Sequence, residues 1–134
     1  MNQTPETDFQ NAFAQMAQFK KCTLETIPDY IPVPDGYNIN GKRKYKKFQA
    51  KKRPFDAVLV TPKNVYCLEF KYQNGIALPH QKNTGNRITN INKTAYFIVR
   101  KKVLKSGTTY SIEDNVKRTR FKTTYMEKLV EAFL

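Results

Sequence analysis

Residues 55–71, FDAVLVTPKNVYCLEFK, decide the reading of this chain. Two apolar runs, 55–61 and 64–71, are parted by Pro62-Lys63, and that pattern predicts a β-hairpin with a two-residue loop. The loop length sets the register: Thr61 faces Asn64, and counting outward Asp56 faces Glu69. Facing residues share one side of a sheet, and Lys71 joins them because alternate residues point the same way. Two carboxylates and one ammonium are thus expected on a single patch.

Like charges set opposite each other destabilise a sheet, so something must offset them, and a divalent cation is the natural candidate. Between Gly36 and Thr108, Asp56 and Glu69 are the only carboxylates in a segment rich in Lys and Arg. A plainer reading is that each acid pairs with a nearby Lys on a solvated face. Against it, the strands carrying them are apolar on both faces, as in a sheet covered on both sides. Acids in that setting are seldom ordinary surface charge.

At 134 residues and 40% hydrophobic, the chain has the makings of one globular domain spanning 1–134. Its 24 Lys+Arg against 11 Asp+Glu, a formal charge of +13, call for a polyanionic partner: nucleic acid first, an anionic membrane surface second. No run is long and apolar enough to span a bilayer, and the N-terminus carries no signal-peptide pattern. Cys22 and Cys67 lack metal-ligand spacing, and Cys67 falls in the hairpin, so the expectation is a cytoplasmic protein with reduced cysteines. The densest basic stretch, 41–53, holds Lys42, Arg43, Lys44, Lys46, Lys47, Lys51, Lys52 and Arg53 with no acid among them. Tyr45, Phe48 and Ala50 interleave, which suggests a strand leading to the hairpin and a phosphate-binding surface. Before it, Pro28, Pro32 and Pro34 exclude helix and central strand, leaving an ordered loop or an edge excursion over 28–41.

The remaining elements follow from spacing. A helix is expected over 4–20, capped by Thr4 with Pro5 at its first position and Phe9, Ala12, Phe13, Met16 and Ala17 facing the core. Residues 22–27 read as extended. A helix over 78–92, with Leu78, Gln81, Lys82, Ile88 and Ile91 on one side, is weakened by Gly85. AYFIVR at 95–100 is a strand, and 108–112 a short one after a Ser106-Gly107 turn. Thr124 and Glu127 suggest a capping box for a last helix over 125–134. The class is α/β, a mixed central β-sheet flanked by helices.

In that order of elements, Asp56 on one strand and Glu69-Phe70-Lys71 closing the next resemble the core of the PD-(D/E)XK nucleases, the restriction-endonuclease-like α-β-β-β-α-β arrangement. Residues 54–102 resemble the Holliday-junction resolvases of that superfamily, archaeal-type and RecU-like. Gln81 is similar to a glutamine that opens the following helix there. The resemblance implies a magnesium-dependent endonuclease, manganese substituting, that hydrolyses DNA phosphodiester bonds at branched DNA. It implies that Asp56, Glu69 and the Phe70 carbonyl hold the ion, and that Lys71 orients water or stabilises developing charge. Gln81 would hold a water or a phosphate oxygen, its alternative being a polar residue on a helix surface. A further acid is often supplied from the first helix or strand; Glu6, Glu25 and Asp29 are candidates, with Gln10 an alternative occupant. His80, the only histidine, reads as structural beside Pro79. Cutting a junction on two like strands implies a symmetric homodimer. Tyr125, Met126, Leu129, Val130, Phe133 and Leu134 offer apolar surface for it, or simply pack on a monomer's sheet. Two other classes stay open: a non-catalytic basic DNA- or RNA-binding module, and a nuclease acting on ordinary duplex.

Overall fold

The computed structural model describes residues 4–28, 30–37 and 39–134, with side chains outside 30–35 and 44–52. In chain order the elements are α1 (Pro5–Phe19), β1 (Thr23–Thr26), β2 (Tyr30–Tyr37), β3 (Arg43–Lys52), β4 (Ala57–Val60), β5 (Val65–Tyr72), α2 (Pro79–Ile91), β6 (Tyr96–Leu104), β7 (Gly107–Glu113), β8 (Thr119–Thr123) and α3 (Met126–Glu131).

The β4–β5 hairpin has the register that its loop length demands: Val60 faces Val65 and Ala57 faces Leu68. Thr61 closes the loop. Its Oγ1 accepts from the Asn64 N–H at 3.0 Å, and its own N–H donates to the Asn64 carbonyl at 2.9 Å. This hairpin lies inside a six-stranded sheet of order β1-β4-β5-β6-β7-β8. All neighbours are antiparallel except β5 and β6, which run parallel because α2 carries the chain back between them.

Strand alternation divides the sheet into two unlike faces. Leu68, Phe70, Val99 and Ile112 point to one side, where α1 and α3 cover them. There Phe9 and Phe13 pack edge-on against Phe70, and Phe133 meets Phe13 and Phe97. Each such aromatic, fully buried, contributes about 1.5–3 kcal/mol, so this face carries the hydrophobic stabilisation. Glu69, Lys71, Tyr96 and Arg100 point to the other side, beneath α2. The mixed sheet flanked by helices is therefore present, with its apolar and polar work on opposite faces.

The proline-rich segment and the basic run pair with each other as a separate two-stranded antiparallel ribbon, β2–β3. Pro32 and Pro34 are tolerated because each ribbon strand has an open edge, and the register shifts on either side of Pro34. The edge excursion is thus a strand. At the ribbon's base Tyr30 faces Lys52, and the Ile27 N–H donates to the Asp56 carbonyl at 2.9 Å. The ribbon extends the β1–β4 pair beyond the sheet.

Two expectations need correction, and one further strand is present that the sequence does not signal. The buried side of α2 is Gln81, Thr84 and Gly85, while Leu78 and Ile91 are exposed. The strand β8, TRFKT, has no apolar run to announce it. And α3 begins at Met126 behind an uncapped Tyr125, so Thr124 and Glu127 form no capping box; Glu127 pairs instead with Lys20, tying α3 to the end of α1. In and after α3, Leu129, Val130 and Phe133 belong to the chain's own core, while Tyr125 before it and Leu134 beyond it are exposed.

Gly85 has a packing reason. A Cβ there would lie 2.6 Å from the Tyr96 ring, so glycine is what lets α2 settle onto β6. Gly85→Ala is expected to destabilise the fold by about 1–3 kcal/mol, despite the better helix propensity of alanine. Urea unfolding of the variant checks this; unchanged stability would mean that α2 does not pack so closely.

Candidate active site

Asp56 is held on every side before its carboxylate does anything. It precedes β4, its N–H donates to the Leu68 carbonyl at 3.1 Å, and its carbonyl accepts from Ile27. The carboxylate Oδ2 accepts from the Phe70 N–H at 2.7 Å. Oδ1 lies 2.6 Å from the Arg53 guanidinium, an ion pair rather than an aligned hydrogen bond. The carboxylate is 1% exposed.

Glu69, on β5, is fully buried. Its Oε1 accepts from Gln81 Nε2 at 3.0 Å, and its Oε2 finds no partner. Gln81 is the joint of the site. Its Oε1 accepts both from the Leu78 N–H, at 2.9 Å, and from Lys71 Nζ, at 3.2 Å. The first of these caps the start of α2. One amide therefore fixes the helix end, the lysine and the glutamate together, and Lys71 and Gln81 are both buried. The reading of Gln81 as a surface polar residue is set aside by that burial.

Burial is the main reason that Glu69 titrates far above the usual carboxylate range. The neighbouring Asp56 carboxyl adds to the rise, and Lys71 and Arg53 oppose it. Glu6, in the first turn of α1, is also raised, chiefly by burial, and it feels the charges of Lys71, Asp56, Arg53 and Arg100. Of the upstream acids it is Glu6 that approaches the site. Glu25 is exposed on β1 and accepts from Thr23 Oγ1, and Asp29 lies outside the described residues. Tyr96, under Gly85, is pushed up by burial first and then by Glu69 and Asp56, and its hydroxyl has no partner.

The other expected residues divide. Phe70 serves through its N–H, while its ring is in the core. Lys42 and Arg43 are exposed toward the tip of the ribbon. The side chains of Lys44, Lys46, Lys47, Lys51 and Lys52 lie outside the described residues. Arg53 turns inward to Asp56. His80 lends only its carbonyl, which accepts from Thr84 Oγ1 at 2.9 Å. Beside Arg53, a polar cleft of about 320 Å³ opens between α1 and the end of β1, lined by Thr7, Gln10, Asn11 and Thr26.

Sequence reasoning missed Arg100 and Glu113. Arg100 sits beside Lys71 in the parallel register, donates to the carbonyls of Gln73 and Gly75 at 2.8 and 2.7 Å, and pairs with Glu113 at 2.7 Å. It anchors the turn that delivers α2, and with it Gln81. Only the β6–β7 register could have brought Glu113 to mind.

No protein-family model matches the chain, and no curated protein is significantly similar to it.

The donors suit a hard divalent cation. Two carboxylates that can only accept face each other, and only a proton or a cation can fill the gap between them. Among the described residues no three His, Cys, Asp or Glu side chains form a ligand set. A cation here would take two carboxylates and draw its other oxygens from main chain, water or phosphate, as magnesium commonly does.

In the metal-free chain the raised Glu69 has a consequence for stability. The unfolded chain loses this proton near pH 4.3 while the folded chain keeps it, so stability falls as pH rises above that point, by at most about 1.4 kcal/mol per pH unit. Glu69→Gln, neutral at every pH, is expected to remove that slope and to melt higher than the parent at pH 8 with chelator present. Melting curves from pH 5 to 8 check it; parallel curves for the two proteins would mean Glu69 is ionised in the fold.

Proposed function

We propose that this chain is a divalent-metal-dependent endonuclease whose core, α1-β1-β4-β5-α2-β6, is of the PD-(D/E)XK type. One observation carries the reading: Asp56 and Glu69 are buried in contact, with Lys71 and Gln81 buried beside them. An arrangement so costly to bury is a functional-site candidate in its own right. DNA is the substrate class, on the strength of the +13 charge and the basic strand β3 that runs up to Arg53 without including it.

Asp56 and Glu69 would hold the cation, with the Phe70 carbonyl as a further ligand by resemblance. When bound, a magnesium or manganese ion supplies Lewis acidity at the scissile phosphate and lowers the pKa of water. The protein's residues do the rest. Lys71, kept in place by Gln81 Oε1, presents an ammonium where negative charge grows on the phosphate. Gln81 fixes Glu69 through Nε2, so that the carboxylate keeps one orientation. The Phe70 N–H does the same for Asp56. Glu6 adds negative charge near the site, and the exposed Lys42 and Arg43 are available to phosphates.

A branched substrate, cut on two strands of like polarity, suits a two-fold dimer with one such site in each copy. The exposed Tyr125 and Leu134, flanking α3, are apolar residues available for that contact.

Asp56→Ala and Glu69→Ala are each expected to lower magnesium-dependent cleavage by about a hundredfold or more, the scale of losing one preorganised charge. DNA binding should stay equal or become tighter, because one negative charge is gone. The check is cleavage of a four-way junction, a linear duplex and a single strand side by side, with binding measured in chelator. Parental cleavage rates in either variant would refute the assignment.

A further inference from the structure

Arg53 ends the basic run, yet its guanidinium is turned into the acid site. Its side chain is 23% exposed and it lies 2.6 Å from Asp56 Oδ1, while its Nη1 donates to the Ile27 carbonyl at 3.1 Å. The oxygen it covers is one that a cation would use. Arg53 also lines the cleft whose other walls are Thr7, Gln10, Asn11 and Thr26, with Ile27 and Pro28 at one end. Those walls offer hydroxyls and amides, and Arg53 is the one charged lining residue among the described residues. A groove with neutral donors and one guanidinium suits a phosphodiester, since guanidinium pairs with phosphate as readily as with carboxylate.

We infer that Arg53 is a positioning residue that exchanges Asp56 for a substrate phosphate, and so couples metal uptake to DNA binding. This rests on the nuclease reading above. Without DNA the guanidinium serves as the counter-ion of Asp56 and competes with a divalent cation for the same carboxylate. A backbone phosphate entering the cleft draws the guanidinium over, and Asp56 is released to the metal. Linkage makes the effect mutual: DNA raises metal affinity by the factor by which metal raises DNA affinity. The chain would then hold its metal more tightly on the substrate than in free solution.

The test is calorimetric titration of Ca2+, a hard oxygen-seeking cation that takes the same class of ligands as Mg2+, into the protein alone and into the protein saturated with four-way-junction DNA. For the parent chain, Ca2+ binding is expected to tighten about tenfold or more when DNA is present, the scale of removing one competing cation from beside a carboxylate. Arg53→Gln should bind Ca2+ about tenfold more tightly without DNA, and DNA should add little further. Arg53→Lys, which keeps the charge, should stay near the parent. A second readout needs no variant: the Arg53 Nε resonance of the parent should shift when DNA is added in chelator. Equal Ca2+ affinity in Arg53→Gln and parent, with the same DNA increment in both, would overturn the exchange while leaving the nuclease reading intact, as would an unmoved Nε resonance in DNA-saturated parent. If the parent takes up Ca2+ in neither state, or Asp56→Ala takes it up as well as the parent, the nuclease reading falls and the exchange falls with it.

Discussion

The contact between the Asp56 and Glu69 carboxyls is the constraint to which the rest of this structure answers. Two acids pressed together out of water would cost several kcal/mol if both were charged and bare. Each neighbour lowers that cost by a nameable device. Glu69 keeps its proton, Arg53 stands on Asp56, the Phe70 N–H donates to Asp56, and Gln81 donates to Glu69. Lys71 adds a cation that is itself anchored to Gln81. Removing one device would shift the load to the others.

Such a site needs a scaffold that does not depend on it. The two faces of the sheet provide one. Phe9, Phe13, Phe70, Phe133 and their aliphatic neighbours bury the apolar face under α1 and α3, whereas α2 covers the acids with a side made of Gln81, Thr84 and Gly85. Gly85 brings α2 close to Tyr96, and Arg100 clamps the turn before α2 to Glu113. A helix poor in apolar contacts thus reaches the distance at which one amide touches Glu69, Lys71 and a helix terminus. Stability lies on one face and chemistry on the other.

The hairpin and the meeting of Asp56 with Glu69 were legible in the sequence because strand alternation has a period of two and a two-residue loop leaves one register. The N-terminal helix was legible too, from Thr4, Pro5 and the Phe9–Phe13–Ala17 spacing. The covered side of α2 was not. Hydropathy looks for Leu and Ile, and here the buried residues are polar or small because they serve a polar face. β8 escaped because Arg120 and Lys122 alternate with one aromatic, Phe121, and pairing with β7 makes it a strand. Choosing Glu6 over Glu25 required knowing where the first turn of α1 lies. Arg53 read as one more cation in a basic run; nothing local says that it turns inward to Asp56.

The central claim, that the carboxyl pair is a divalent-cation site, is tested most directly by paramagnetic broadening. Substoichiometric Mn2+ would be added to the 15N-labelled, DNA-free chain while its amide signals are followed. Phe70, whose N–H donates to Asp56, is expected to broaden among the first, together with Ala57 and Leu68, while amides at the β7–β8 turn around Asp114 stay sharp. Phe70 remaining sharp at saturating Mn2+, with broadening elsewhere or nowhere, would contradict it.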